Sequence, residues 1–233
     1  MQPVDISEIK NIADYEVERE TLRPRVLALK ERRRIRLGDH LTFLFENRET
    51  VRYQIQEMMR IERIVRPHDI AHEIATYNEL IPAPGGLCAS LLIEYETSAE
   101  RDVKLRELLG LERHLWIEVA GAGRTPAVFD ERQIATDRIS SVQYLKFRLS
   151  EAQQKNWTQG ASLVSDHPHY TAERALTDAE LKELEADFRQ PSSCKAHPPG
   201  FYLGARCRRV ARITSSAIKY NAPPNKSVAC RPV

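Results

Sequence analysis

Apolar residues recur at helical spacing near the start of the chain. In the stretch 14–34, Leu22, Val26 and Leu29 are separated by four and three residues, which predicts a helix with one buried stripe. Pro24 lies inside this stretch and is expected to interrupt the helix or to mark its restart. The chain therefore opens on a helix whose apolar side must pack against another element.

The remaining segments combine strands and helices without regular alternation. Short apolar runs predict strands, and capping residues or apolar spacing predict helices. We expect strands at 41–46, 88–95, 114–120 and 142–149, and helices after Asn47, near Pro67, over 99–109 with Ser98 as its cap, after Ser150 and after Thr177. The segment 88–120 could form a βαβ crossover. The mixture predicts the α+β class, with a mixed, mostly antiparallel sheet and packed helices in a single domain.

The helix predicted after Asn47 places polar side chains on its apolar face. At about 100° per residue, this face contains Val51, Ile55, Met58 and Val65, whereas Arg52, Gln56, Arg60 and Arg63 lie opposite. Gln54 and Glu62 fall inside the apolar face, and Glu57 falls on its edge. A carboxylate that faces the core must be paired, hydrogen-bonded, protonated or bound to a metal. We therefore expect Glu62 to be buried against a cation or a metal.

Three interpretations of these polar residues stay open. They form a structural ion pair or a polar lock between helices, as buried charges often do. They line a functional polar cavity made of Gln54, Glu57 and Glu62. In the third interpretation, the helix is rotated or shorter than the pattern implies.

Two histidines offer a candidate metal site. His167 and His169 stand in a segment expected to be a loop after a strand, and His-x-His spacing can place two imidazoles on one side of an extended segment. A solvated histidine pair is the alternative. If the loop folds towards Glu57 or Glu62, a carboxylate–histidine site for iron or zinc becomes possible.

The composition divides the chain near residue 189. Residues 189–233 contain nine Lys or Arg, no Asp or Glu and three of the four cysteines, which leaves residues 1–188 with a net charge of −7. We expect a globular domain over 1–188 and a basic, Pro- and Cys-containing tail over 189–233 that is disordered or packs weakly. The Cys and His spacing in this tail fits no common zinc module. A basic tail could bind nucleic acid, but its aromatic residues form no stacking motif.

Several function classes have no signal in the sequence. No apolar run is long enough to cross a membrane, and the N-terminus does not resemble a secretory signal, so we expect a cytoplasmic protein. The motifs G-x-S-x-G, P-loop and G-x-G-x-x-G are absent. Cys88, the one thiol in residues 1–188, lies in an apolar strand and is expected to be buried and unreactive.

Five segments together resemble one family. They are LFENRETVRYQIQEMMRIERI (44–64), YNELIP (77–82), IEY (93–95), SSVQYLKF (140–147) and DHPHY (166–170). They are similar to the bacterial domain-of-unknown-function family 3501, over about residues 5–188. The genes of this family often stand beside those for rubrerythrin-like di-iron proteins and iron–sulfur proteins. The resemblance therefore implies a cytoplasmic role in redox or peroxide defence.

Three functional hypotheses follow from the residues and the resemblance. The first is an accessory or binding protein of a redox system, with rubrerythrin-like or iron–sulfur proteins as partners. The second is a metal-dependent enzyme that uses Glu57, Glu62, His167 and His169. The third is nucleic-acid binding through the basic tail.

The composition break predicts that residues 189–233 are dispensable for folding. A chain truncated to 1–188 should have the same melting temperature as the full chain, because the tail contributes few apolar groups to the core. Thermal unfolding of both proteins measures the difference. A truncated chain that is insoluble or melts far lower would show that the tail packs on the domain.

Overall fold

The structure is a computed structural model that describes residues 1–130 and 134–189. The helices are α1 (Ile12–Arg32), α2 (Arg48–Glu62), α3 (Pro67–Asn78), α4 (Ser98–Glu107), α5 (Glu151–Asn156) and α6 (Asp178–Phe188). The strands are β1 (Arg34–Leu37), β2 (Leu41–Glu46), β3 (Gly86–Ile93), β4 (Leu115–Val119), β5 (Gly123–Pro126), β6 (Val128–Phe129), β7 (Val142–Arg148), β8 (Ala161–His167) and β9 (Tyr170–Ala175). The predicted tail lies outside the described residues except for Arg189, so its packing and ligands stay predictions.

The strands form two antiparallel sheets, which confirms the predicted α+β class. The first sheet has the order β1-β2-β3-β7-β6, and the second has the order β5-β4-β8-β9. The βαβ crossover predicted over 88–120 is wrong, because β3 and β4 belong to different sheets and α4 connects them. No helix in the described ranges has both the length and the apolar character needed to cross a bilayer.

The first sheet separates two packed layers, because alternate residues of a strand point to opposite faces. Phe43 and Phe45 of β2 belong to the main apolar core, together with residues of the second sheet, α4 and α6. Leu44 and Glu46, the alternate residues, lie on the other face with residues of α1, α2 and α3. A polar cavity can therefore lie under the helices while the main core stays apolar.

Capping side chains fix where several helices begin, as the sequence predicts. Asn47 and Thr177 each accept a hydrogen bond from the backbone amide three residues later, at the starts of α2 and α6. The helix α4 is capped by Thr97 rather than by Ser98. Pro24 lies within a continuous α1, contrary to the expected interruption, because apolar residues on both sides of it are buried against α2.

Arg33 anchors the end of α1 in the interior. Its side chain is 1% exposed and donates hydrogen bonds to the backbone carbonyls of Phe45 (2.8 Å) and Glu46 (3.3 Å). It also pairs with the buried Asp187 and, at 3.2 Å, with Glu183. Burial raises the pKa of Asp187 to about 6, although the charge of Arg33 opposes this shift. These contacts tie α1 to β2 and to α6.

The helix α2 ends at Glu62, three residues before the end of the apolar pattern. Arg63 adopts a left-handed backbone conformation (φ 53°, ψ 44°), and its amide donates to the Met59 carbonyl, which closes the helix. The chain leaves the helical path at this point, so Val65 is 69% exposed and Glu62 is also exposed. The predicted burial of Glu62 is therefore wrong, because Glu62 is the last residue of α2 and the chain turns away directly after it.

Gln56 is also placed differently from the prediction. Its side chain is buried rather than solvated. The N-terminal segment covers it: Gln56 Oε1 accepts from the Lys10 amide at 2.7 Å, and Gln56 Nε2 donates to the Lys10 carbonyl at 3.1 Å. A local helical pattern contains no information about a segment that packs from 46 residues away.

Glu57 is the carboxylate that α2 buries. It is 3% exposed and accepts hydrogen bonds from the Tyr15 hydroxyl at 2.8 Å and from Arg19 Nε at 2.7 Å, with the Arg60 guanidinium 3.4 Å away. Burial raises the pKa of Glu57, but the hydrogen bonds from Arg19 and Tyr15 outweigh burial and hold this pKa below its usual value. The interpretation as a structural ion pair therefore applies at Glu57.

Replacing Glu57 with alanine should lower the free energy of unfolding by about 3 kcal/mol, because Arg19 and the Tyr15 hydroxyl lose their buried acceptor. Glu62→Ala is the matched control on the same helix and should change the free energy by less than about 0.5 kcal/mol, because Glu62 is exposed. Denaturant unfolding at neutral pH measures both values. Equal effects of the two substitutions would contradict this assignment.

The same pair of proteins should show a pH signature. Folding lowers the pKa of Glu57 from 4.5, so its stabilising contribution is present above pH 4.5 and is lost as the pH falls through the folded-state pKa. The stability gap between the wild-type protein and Glu57→Ala should therefore narrow below pH 4.5. A gap that stays constant into the acid range would refute the role of the ionised carboxylate.

Candidate functional site

Lys30 is a buried amine in the last turn of α1. The residue is 5% exposed, and its Nζ makes one long hydrogen bond, 3.4 Å, to Gln54 Oε1. Nζ also lies 5.3 Å from the centre of the Tyr53 ring, within the range of a cation–π contact. Among the described residues, Lys30 forms no ion pair. A buried lysine without a carboxylate partner is uncommon, since burial penalises the charged form.

Burial lowers the pKa of the Lys30 amine, and this effect exceeds the opposing pull of nearby carboxylates. The charges that act on the amine come from three elements. Glu46 on β2 and Glu57 on α2 raise its pKa, and Arg34 on β1 lowers it. The net shift increases the fraction of neutral amine at physiological pH.

A small cavity, lined in part by polar residues that include Lys30, lies between the helices α1–α3 and the first sheet. It has room for about one water molecule. The polar cavity, as we call it below, is lined by Lys30, Glu46, Gln54, Tyr77, Ser90 and Tyr144, together with the apolar Leu44, Val51 and Leu80.

Two donors on the wall of the polar cavity lack a partner within the described part of the chain. Gln54 lies next to the Tyr77 hydroxyl, but neither Gln54 Nε2 nor this hydroxyl makes a well-formed hydrogen bond. Burial raises the pKa of Tyr77 well above its usual value, so the hydroxyl keeps its proton. Buried polar groups are almost always satisfied in folded proteins, so these two donors mark a place for a small acceptor.

Glu46 supplies the carboxylate of the polar cavity. It is buried at the end of β2 and accepts hydrogen bonds from the Thr50 hydroxyl at 2.6 Å and the Ser90 hydroxyl at 2.7 Å. These hydroxyls satisfy and orient the carboxylate without neutralising it. The polar cavity therefore combines an amine, a negative charge and two unpaired donors.

Sequence reasoning identified Gln54 but missed Lys30. A lysine near the end of a helix is normally solvated, so its burial is not expected. One signal was available: Lys30 follows Val26 by four residues, and Arg33 follows Leu29 by four, so both continue the apolar stripe of α1. Gln54, which the helical pattern assigns to the buried face of α2, does line the polar cavity.

The two candidate histidines lie at the turn between β8 and β9. His167 is buried rather than solvated, at 3% exposed. Its Nε2 lies 3.1 Å from the Leu109 carbonyl and donates to it, and its Nδ1 accepts from the His169 amide at 3.2 Å. Both ring nitrogens of His167 are therefore engaged within the protein.

The structure does not bring the four candidate metal ligands together. Glu57 and Glu62 lie on α2, above the first sheet, whereas His167 and His169 lie at the end of the second sheet. Within residues 1–130 and 134–189, no group of three or more His, Cys, Asp or Glu side chains is arranged to hold a metal. Binding of iron or zinc therefore stays a prediction, and these ranges contain no such group of ligands for it.

The burial predicted for Cys88 is confirmed. The residue is 4% exposed in β3, and burial raises the pKa of its thiol to about 12. The thiol is therefore protonated at neutral pH, which disfavours nucleophilic reactivity.

Comparison with known proteins gives a family and a structural relative. Residues 3–188 match the family described as "Protein of unknown function (DUF3501)". The crystal structure of a novel protein of unknown function from Burkholderia pseudomallei K96243 is similar in sequence and fold: the identity is 31% and the TM-score 0.75, with 80% of this chain and 99% of that chain covered. No curated protein matches the chain. Because the family match extends over most of its length, this chain belongs to the DUF3501 family.

Proposed function

We propose that this protein is an accessory binding protein of a cytoplasmic redox or peroxide-defence system. The observation that carries the proposal is a partly apolar, exposed turn between α2 and α3. We call it the α2–α3 corner and define it as residues 60–66. A partner could bind at this corner without contacting the polar cavity.

Two apolar side chains of the α2–α3 corner face solvent. Ile61 is 46% exposed and Val65 is 69% exposed. They are two of the six large apolar side chains that are exposed among the described residues, and they lie four positions apart. Exposed apolar groups on one short turn favour an interaction site, because a partner would remove them from water.

The backbone of Arg63 gives the α2–α3 corner its shape. Arg63 is the one residue other than glycine with a positive φ in the described ranges. A left-handed conformation costs a non-glycine residue about 1–2 kcal/mol, and such local strain is frequent at functional sites. The turn at Arg63 exposes Val65, which the helical pattern would otherwise bury.

The charges of the α2–α3 corner favour an acidic partner. Arg63 and Arg66 are exposed on either side of Val65 and outnumber the one exposed carboxylate of the corner, Glu62. Arginine beside apolar groups is common in protein interfaces. The family resemblance associates these proteins with rubrerythrin-like di-iron proteins and iron–sulfur proteins. We therefore propose a rubrerythrin-like protein with an acidic surface as the partner.

The two alternative functions have less support. A metal at Glu57 would have to displace Arg19 and Tyr15, and a metal at His167 would have to displace the Leu109 carbonyl or the His169 amide. These losses oppose a metal-dependent enzyme built on those residues. Nucleic-acid binding rests on residues 189–233, of which only Arg189 is described.

The proposal predicts that the double variant Ile61→Ser, Val65→Ser binds its partner at least about tenfold more weakly, which corresponds to about 1.4 kcal/mol. The substitutions remove apolar area from the α2–α3 corner but not from the core, so the fold should be unchanged. Titration calorimetry with the rubrerythrin-like protein of the same organism measures the dissociation constant.

The matched control is Val103→Ser on α4, where Val103 is 54% exposed outside the α2–α3 corner. This variant should bind the partner as the wild-type protein does. No binding by the wild-type protein, or equal affinities of the double variant and the wild-type protein, would refute the proposal.

A further inference from the structure

We propose that Lys30 is a reactive amine that forms an imine with a very small, neutral carbonyl compound in the polar cavity. The inference is independent of the proposed partner, because the polar cavity lies under α1–α3 and contains no residue of the α2–α3 corner. It rests on the contacts of the amine, the two unpaired donors and the charge on the cavity wall.

Lys30 would supply the nucleophile of this reaction. Imine formation requires a neutral amine, and desolvation is the usual way in which a protein supplies one. Arg33, one turn after Lys30, is surrounded by carbonyl oxygens and carboxylates. Within the described residues, the Lys30 amine makes one hydrogen bond, to Gln54 Oε1 at 3.4 Å, and a cation–π contact with the Tyr53 ring. The end of α1 thus holds two different basic groups. The charge of Arg33 is balanced by hydrogen bonds and carboxylates, whereas the environment of the Lys30 amine shifts it towards the neutral form.

Gln54 and Tyr77 could hold the oxygen of the carbonyl compound. A carbonyl oxygen accepts hydrogen bonds and donates none, and both residues line the same cavity as Lys30. Within the described part of the chain, Gln54 Nε2 and the Tyr77 hydroxyl lie close to each other but make no well-formed hydrogen bond. Donors placed at a carbonyl oxygen polarise it and stabilise the negative charge that develops when an amine attacks the carbon. The room for about one water molecule restricts the ligand to the smallest aldehydes, of which formaldehyde is the simplest.

The carboxylate of Glu46 favours a neutral ligand over an anionic one. Glu46 stands in the wall of the polar cavity, so an anionic ligand would be repelled, whereas a neutral carbonyl compound would not. The imine becomes a cation when it takes up a proton. Glu46 already attracts positive charge at Lys30 and would act as the counter-ion of that cation.

The reaction balances without an oxidant or a reductant. The lone pair of Lys30 Nζ forms a bond to the carbonyl carbon, and the electron pair of the C=O double bond moves to oxygen. A proton passes from nitrogen to oxygen to give the carbinolamine. The C–O bond then breaks, and the oxygen leaves as water with a second proton taken from nitrogen. The carbon–nitrogen double bond forms, so one aldehyde and one amine give one imine and one water.

Reductive trapping tests this inference. The full chain is treated with formaldehyde and cyanoborohydride at about pH 6, where ordinary lysines are almost fully protonated. Methylation of each lysine is then followed by mass spectrometry of peptides. We expect Lys30 to be methylated at least about tenfold faster than Lys10 and Lys104, whose side chains are 48% and 41% exposed, because the Lys30 amine is less protonated.

Variants separate a built site from simple amine reactivity. Tyr77→Phe removes one donor and should slow methylation of Lys30 several-fold, with no change at Lys104. Tyr15→Phe removes a buried hydroxyl that binds Glu57 and does not line the polar cavity, so it should leave methylation of Lys30 unchanged. Methylation of Lys30 in the wild-type protein that is no faster than that of Lys104 would overturn the inference, as would equal rates at Lys30 in the wild-type protein and Tyr77→Phe.

Discussion

The end of α1 and the residue that caps it carry two basic side chains, Lys30 and Arg33, into the interior, and the surrounding structure depends on how their charges are accommodated. Removing a charge from water costs several kcal/mol unless hydrogen bonds and opposite charges replace the lost hydration. At Arg33 this replacement is complete, because two backbone carbonyls of β2 and two carboxylates of α6 contact the guanidinium. Elements far apart in the sequence are thereby joined around one side chain.

At Lys30, hydrogen bonds and opposite charges replace the lost hydration only in part. The polar cavity is the consequence. Gln54, Tyr77 and Glu46 line this cavity together with Lys30, from α2, α3 and β2, and Gln54 hydrogen-bonds the amine. None of them forms an ion pair with it. Burial shifts the protonation equilibrium of such an amine towards the neutral form. A neutral amine facing unpaired donors has little value for stability, because the unpaired donors are themselves a cost. We therefore propose that the Lys30 amine takes part in a reaction, the imine formation described above.

The α2–α3 corner shows a different constraint. Its apolar residues are exposed because Arg63 ends α2 in a left-handed conformation and turns the chain away from the core. The protein thus separates two candidate activities: partner binding at the surface of the turn, and a small-molecule site beneath the helices. The two can be tested by substitutions that do not overlap.

Local sequence patterns predicted most elements, because apolar spacing and capping residues act within a few positions of each other. The capping of α2 by Asn47 and the burial of Gln54 and Cys88 are examples. The prediction that Glu62 is buried is wrong. The sequence did not reveal the end of α2, because Arg63, which has the left-handed conformation there, is not a glycine. The division into two sheets and the site at Lys30 depend on contacts between distant segments, which periodicity does not encode. The one local indication that Lys30 is buried was its position four residues after Val26, on the apolar stripe of α1.

The most direct test of this account is a pH titration of the Lys30 amine in the full chain, followed by the chemical shift of its Cε carbon. We predict a midpoint below the usual 10.5, because burial penalises the ammonium form. Lys104 serves as the reference in the same molecule, since its hydrogen bond to Glu107 raises its pKa. A midpoint at or above 10.5 for Lys30 would contradict the account, because the amine would then be an ordinary, compensated cation.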